Sequence, residues 1–591
     1  MHSALWSEHS EEETVVSGYR SRPIRDGGGK PSLGRFRPDR RPPARLSDIG
    51  SAFLTQAERL GACDSIKESV LAREVVHPLS ATTLKDLRKT LAERVGCQSA
   101  EAVEEGQPFH LNLLSDLARE AADPDWRFPS QLGAGVPLGV EEPTWTTPGI
   151  WPTKEELELE EDLDVEIPAP HSSENYASLA AHVDEVRKTF LEERALGMTE
   201  GPYTLEQLAA RCLCEPEEIC CGALGAKVEG EKVRTIHDGT IIEVNKHIRH
   251  NSAEKTTSPT VADALHALKV VKDDGSGDEM VAVKADVTKA HRRIKVLQKD
   301  WKYMSAKVDD EYWLNKCGTY GIASAQLYWG RMAALLVRLL YHLFPNILWA
   351  FVYVDDFLLL TRKRHLHEAI AAIIFFLAVG SPLSWKKMDI GSIMIWLGFE
   401  INCLEANARL SQSRQSAVLD LLGTLQLGTA QSKKWIEKTL GVIMWVTLIF
   451  PSLRPFMQPF YAWLHGTKVC GRPSALLRHL AGIMTDMIQT PPPPWSPPRL
   501  LEWHGASDAG ADGSSATVGG WLCCGSGRTK EEVYWFVHDL HRDLEPWAFS
   551  KEKVQQRIAA IELYGTLMLL QLMTFYAHST RQEDSSPASR H

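Results

Sequence analysis

The spacing of apolar positions along the chain changes near residue 174. From there on it is that of a folded protein. NYASLAAHVDEVRKTFLEERALG (175–197) repeats its apolar residues at helical intervals. ICCGALGAKVEGEKVRTIHDGTIIEVN (219–245) predicts strand, turn, strand. MVAVKADVTKAHRRI (280–294) predicts a strand running into a polar segment. AQLYWGRMAALLVRLLYHLF (325–344) predicts an amphipathic helix, and NILWAFVYVDDFLLLTR (346–362) a hairpin centred on two aspartates. LHEAIAAIIFFLAVG (366–380) reads as a core helix and SIMIWLGFEIN (392–402) as one more strand. Strand, helix, hairpin, helix, strand is the βαββαβ pattern. Residues 411–468 read as mostly helical, QTPPPPWSPPRL (489–500) as a stiff proline linker, and 501–591 as an α+β segment.

The first 170 residues look different. Residues 18–46 are rich in Gly, Pro and Arg and predict a basic arm without fixed structure. Residues 47–122 show weak helical periodicity. Residues 123–170 are Pro-rich and end in the acidic run EELELEEDLDVE, a linker or solvated helix. The expectation for 1–170 is a low-order extension, and no internal repeat is visible.

Composition sharpens this picture in three places. A hydrophobic content of 44% over 591 residues is that of folded protein with several domains. Eleven cysteines without a signal-like start predict a reducing intracellular site, cytoplasm or nucleus. No apolar run reaches the ~18 residues needed to span a bilayer, so no membrane is expected among the partners. The net charge of −11 argues against a nucleic-acid partner until it is divided. Residues 1–170 hold 30 acidic and 19 basic residues, so the remainder is neutral. Residues 401–500 carry 10 basic and 4 acidic residues.

Asp355 and Asp356 stand side by side within an apolar run, which is costly for carboxylates. A tight turn would tolerate them. So would a divalent cation, which supplies the missing positive charge. A two-metal site for phosphoryl transfer needs a further carboxylate from another strand. Asp286, at the end of VAVKAD, can supply it. Neighbouring strand residues face opposite ways, so Asp355 and Asp356 cannot serve identically.

With these residues in order, the sequence resembles a reverse transcriptase of the retroelement type. Tyr353-Val354-Asp355-Asp356 is similar to that family's YxDD box, and Asp286 to the aspartate of its first palm strand. AKVEGEKVRTIHD resembles the fingers hairpin, where Lys227 and Arg234, with Lys232 a weaker match, would hold the incoming triphosphate. YGIASAQLYWGRM resembles the FGLxxAPxxF box, which implies that Gly321 lies beneath the nucleotide. WKK resembles the segment bearing a basic residue near the pyrophosphate, Lys387 or Lys386. WLGF resembles the primer grip, here Trp396, Leu397 and Gly398. LGVIMWVTLIFPSLRPFMQPFYAWL resembles the thumb.

The resemblance implies fingers and palm over 171–400 and a helical thumb over 401–488. It further implies an RNA template, a DNA primer and dNTPs, with two Mg²⁺ or Mn²⁺ ions on Asp286, Asp355 and Asp356. Three positions depart from the family's pattern. His291 stands where the family usually has Tyr or Phe, so its sugar discrimination is not carried over. Thr319-Tyr320 replaces Pro-Gln or Pro-Phe, and Gln326 replaces a later Pro.

WHGASDAGADGSSATVGGWL and IAAIELYGTLMLLQLM resemble a truncated RNase H-like domain, with Asp508 and Glu562 as its carboxylates and Asp584 at the distance of a third. Nuclease activity is not expected of the shortened domain. Cys212, Cys214, Cys220 and Cys221 lack the spacing of a zinc site and read as packed thiols. His237 reads as structural. No GxxxxGK[ST] loop is present. Two rivals to an active polymerase remain. One is a catalytically inactive remnant or domesticated scaffold that holds nucleic acid. The other is an RNA-templated RNA polymerase.

Overall fold

The computed structural model describes residues 44–148, 168–230, 232–250, 254, 257–494, 503–524 and 533–583. Most of the basic arm, the acidic run, the end of the proline linker and Asp584 lie outside them. The chain is a mixed α/β protein in two compact units, Met1–Trp495 and Ser496–His591.

The first unit opens with helices α1 (Ala44–Arg59), α2 (Ala62–Leu71), α3 (Ala81–Val95), α4 (Leu111–Glu120) and α5 (Phe128–Ala134). After α6 (Ala177–Ala180) and α7 (Val183–Ala195) come β1 (Thr199–Tyr203), α8 (Leu205–Cys212), β2 (Cys221–Glu229) and β3 (Lys232–Asp238). Then follow α9 (Val244–His247), α10 (Val261–Asp273), β4 (Met280–Asp286), β5 (Ser305–Val308) and β6 (Glu311–Asn315). The centre of the fold is α11 (Ala323–Leu343), β7 (Ile347–Tyr353), β8 (Asp356–Arg362), α12 (Leu366–Ala378) and β9 (Asp389–Gly391). The unit closes with β10 (Ile393–Trp396), β11 (Phe399–Asn402), β12 (Asn407–Leu410), α13 (Gln412–Leu427), β13 (Gln431–Ser432), α14 (Lys433–Val446), α15 (Gln458–Gly466), β14 (Cys470–Gly471) and α16 (Ala475–Gln489).

Strands β7-β8-β4-β9 form a four-stranded antiparallel sheet, with β4 and β8 in the middle. Both faces are buried, which is why these strands read as continuous apolar runs. Phe357 and Leu359 of β8 point into one core with α11 and α12. Leu358 and Leu360 point into the other, with Trp396, α13, α14 and α16. Strands β1-β6-β5-β2-β3 form a second sheet, ending in the long β2–β3 hairpin.

The expected low-order extension is corrected by residues 44–148, which form an ordered helical layer. Leu46, Ile49, Phe53 and Ala57 make one buried stripe on α1, against α11 and α12. A Cβ on Gly50 would stand 1.8 Å from the Leu343 carbonyl oxygen, so only glycine allows this crossing. Two buried ion pairs fix the register of the layer on α11: Arg331 with Asp125 at 2.6 Å and Arg338 with Asp123 at 2.5 Å. Two of the thirty acidic residues of 1–170 are therefore structural.

A second difference concerns 392–402. It is a hairpin, β10–β11, set apart from the sheet of β4. Leu397 (φ 51°) and Gly398 (φ 82°) both lie in the left-handed region, as a tight two-residue turn requires.

The second unit is a three-stranded antiparallel sheet of β15 (Trp503–Asp512), β16 (Ser515–Cys524) and β17 (Val533–Asp539), with α17 (Ile558–Glu583) packed on β15 and β16. Among the described residues, Val554–Phe575 is long and apolar enough to cross a membrane by length and composition. The expectation that no such stretch exists is corrected. Interspersed polar residues such as Arg557 and Glu562 hid it from a search for unbroken runs.

Candidate functional site

The two aspartates sit where β7 turns into β8. Tyr353 pairs with Asp356, so Val354 and Asp355 form a two-residue turn. Val354 has φ 57°, a conformation that costs a β-branched residue roughly 1–3 kcal/mol. Both turn carbonyls are held. The Trp329 indole N–H donates to Val354 O at 2.6 Å, and the Val287 amide donates to Asp355 O at 2.9 Å.

Across the sheet, Asp286 is the direct partner of Asp356. Directly opposed side chains share a face, so these two carboxylates lie together and Asp355 joins them from the turn. Each has its own cationic neighbour. Lys387 Nζ donates to Asp286 Oδ2 at 2.6 Å. Lys284 Nζ lies 3.9 Å from Asp356 Oδ1 and donates to Ile395 O at 3.0 Å. Asp355 feels the charges of Lys387 and Arg234.

Burial, then repulsion from Asp286, pushes the Asp355 carboxyl above its usual range. Burial also drives Asp356 up to about 6, with Lys284 opposing and both other aspartates assisting. Burial pulls Lys387 down, but its bond to Asp286 and the three carboxylate charges outweigh that and raise it. Negative charge is thus crowded and only partly compensated.

This bears on a cation. Asp356 Oδ1 is buried with no hydrogen-bond partner. Yet among the described residues no group of three or more His, Cys, Asp or Glu side chains could hold a metal ion. The expected set Asp286, Asp355, Asp356 does not close into an all-protein cage, because Asp356 lies beside Lys284 and Asp286 is held by Lys387. Mg²⁺ is commonly held by one or two carboxylates together with substrate phosphates and water. Asp286 and Asp355 fit that pattern as hard-oxygen donors, once Lys387 yields Asp286.

Lys227 and Arg234 are exposed and directly paired across the β2–β3 hairpin. The charge of Arg234 acts on Asp355 and on Tyr320, which brings this hairpin to the aspartates. Gly321 has φ 122°, and a Cβ there would stand 1.9 Å from the His237 carbonyl oxygen. Its glycine is required by the backbone of β3. Two of the three departures from the family pattern touch: His291 Nε2 lies 2.8 Å from Gln326 Oε1. The His291 ring also meets Tyr320, the third, at 5.5 Å. Burial lowers the His291 pKa against the pull of Gln326. Trp396 is fully buried against Phe351, while Leu397 and Gly398 make the β10–β11 turn.

Asp508 and Glu562 are not brought together. Ser507 and Ala509 alternate with Asp508 along β15 and face α17, where Ser507 Oγ meets Thr566 Oγ1 at 3.3 Å. Asp508 points to the opposite face, in line with Gly519 and Val537. Its carboxylate accepts from the Ala509 amide at 2.9 Å.

Two side chains at the site, Trp329 and Lys284, were not singled out from the sequence. Trp329 lies within the amphipathic pattern of α11 and Lys284 within the alternation of β4, and neither belongs to a motif that marks it. His237 is buried beneath Gly321 with both ring nitrogens unpartnered. A Cβ on Gly222 would stand 1.7 Å from its Nε2.

No family model and no curated protein sequence matches the chain. Among solved structures it is similar to the foamy viral protease-reverse transcriptase in three complexes. For the dRH form with double-stranded DNA the TM-score is 0.41 at 13% identity, over 63% of this chain and 58% of that one. For the complex with RNA/DNA hybrid it is 0.41 at 12%, over 63% and 45%. For a second complex with double-stranded DNA it is 0.40 at 12%, over 67% and 75%. The match thus spans about half the length of the first two proteins.

Proposed function

We propose that this chain is an RNA-directed DNA polymerase that adds deoxynucleotides to a primer 3′-OH. The observation that carries the reading is the convergence at one turn of Asp286, Asp355 and Asp356 with Lys387 and Arg234, from four separate segments. The order of the sequence boxes supports it. In this reading Asp286 and Asp355 hold the divalent cations. Such ions, when bound, lower the pKa of the attacking hydroxyl and offset charge on the departing pyrophosphate. Arg234 and Lys227 grip the triphosphate oxygens from the β2–β3 hairpin. Lys387, kept protonated by its carboxylate neighbours, leaves Asp286 and donates to phosphate oxygen. Lys284 holds Asp356 and the β10 backbone together, aligning the Trp396–Gly398 turn with the reacting end. The basic segment 401–500 supplies phosphate contacts to the duplex.

A second reading has its own observation. The 2.6 Å contact of Lys387 with Asp286 is also what an idle site would adopt, with the lysine replacing a cation. In that case the chain is an inactive scaffold that still binds nucleic acid. Extension of a DNA primer on an RNA template, with dNTPs or NTPs and Mg²⁺ or Mn²⁺, separates the readings. Extension with dNTPs supports the polymerase. Extension with NTPs as well assigns a loose sugar gate to His291 and Gln326. Folded protein that binds template–primer without extending it supports the scaffold.

A further inference from the structure

We propose that Trp329 is the positioning residue for Asp355, acting through the carbonyl of Val354. The inference rests on the polymerase reading of the turn. Three observations lead to it. Val354 occupies a left-handed conformation that a β-branched residue adopts only under constraint. Its carbonyl accepts the Trp329 indole N–H at 2.6 Å, while the carbonyl of Asp355 accepts the Val287 amide. Asp355 is thereby bracketed by two peptide planes, one tied to α11 and one to Val287, the residue that follows β4. Finally, Trp329 is fully buried and cannot reorient easily. Its ring lies 6.5 Å from that of Phe109, supplied by the N-terminal helical layer.

The side-chain type is informative. Phenylalanine would fill most of this space but has no N–H. Losing that N–H would deprive the half-buried Val354 carbonyl of this donor. The turn could then relax toward negative φ, which swings the Asp355 carboxylate away from Asp286. The aspartate itself would be unchanged, so the defect is one of aim. The helical layer of residues 44–148 reaches the turn through this same tryptophan.

The test compares the full-length wild type with Trp329→Phe, Val354→Gly and the double variant. Three quantities are read: Mn²⁺ affinity by electron paramagnetic resonance, kcat and KM for dNTP in primer extension, and Tm. Asp355→Asn serves as the control for the lost ligand. Trp329→Phe is expected to weaken Mn²⁺ binding about fivefold or more and to lower kcat about tenfold or more, with KM within about twofold. Glycine takes φ 57° without strain, so the double variant should lose less than the product of the single losses. Mn²⁺ affinity and kcat within about twofold of wild type would overturn the proposal. So would a loss that merely follows the fraction unfolded, or a wild type without saturable Mn²⁺ binding. A wild type that binds Mn²⁺ but extends no primer refutes the polymerase reading, while the Mn²⁺ comparison still decides the role of Trp329.

Discussion

Asp355 and Asp508 look alike in sequence, each an aspartate in an apolar strand context, yet the structure gives them opposite settings. Asp355 lies on a turn whose carbonyls are both fixed, beside Asp286 and within reach of Arg234 and Lys387. Asp508 lies in mid-strand on an open face, answered by its neighbour's amide, with Glu562 carried by the helix on the other side. The difference comes from register. Pairing Asp286 with Asp356 puts two carboxylates on one face, whereas simple alternation along β15 turns Asp508 away from α17. A third kind of carboxylate completes the comparison. Asp123 and Asp125 are as buried as Asp286 but are fully engaged by arginines, and they hold the fold together.

The largest expected effect separates the first kind from the others. Asp286→Asn should cut single-turnover nucleotide incorporation at least about a thousandfold while leaving template–primer affinity within about threefold. Rapid-quench kinetics and a filter-binding assay check both halves. Next comes the structural kind. Asp125→Ala strands the buried Arg331 guanidinium and should cost the first unit about 3–5 kcal/mol, read by urea denaturation. The same substitution at exposed Asp310, paired with Lys307 at 3.7 Å, should cost under about 0.5 kcal/mol.

Acid provides a smaller lever on the same theme of buried charge. Burial, then the charge of Arg292, lowers the His237 pKa to about 4. Below the ordinary value near 6.5 the unfolded chain takes up a proton that the folded chain refuses. Stability is therefore lost as pH falls from about 6.5 toward 4. From pH 7 to pH 5 this histidine should account for about 2 kcal/mol of the loss. Urea midpoints at both pH values, for wild type and His237→Gln, measure it. His110, also lowered to about 4, keeps part of the drop in the variant. The smallest effect is that of Asp508→Ala, expected within about 0.5 kcal/mol of wild type in stability and without effect on extension.

What was legible in the sequence follows from what periodicity can carry. The order β4, α11, β7, β8, α12 was visible because alternation and helical spacing differ over such lengths, and because two-sided burial leaves long apolar runs; the sheet's last strand, β9, was not, since the strand was expected at 392–402. The crowding of Asp286 with Asp355 and Asp356 was legible once a strand was assigned to each. The helical layer of 44–148 was not. Its contacts with α11 depend on Gly50 and on ion pairs about 200 residues apart in sequence, which no local pattern records. The turn at Leu397-Gly398 was missed because WLGF continues an apolar run, although Gly398 offered the signal. The separation of Asp508 from Glu562 depends on which face α17 covers. Trp329 could not be told from a core aromatic, since its N–H matters only when a carbonyl is placed against it.

The most direct test places the two aspartates in one assay. DNA primer extension on an RNA template would be followed for the wild type, Asp355→Asn and Asp508→Asn, each shown by its Tm to be folded. The account predicts extension by the wild type and by Asp508→Asn at comparable rates, and none by Asp355→Asn. Equal rates in all three proteins would contradict it, as would a folded wild type that binds template–primer and adds no nucleotide.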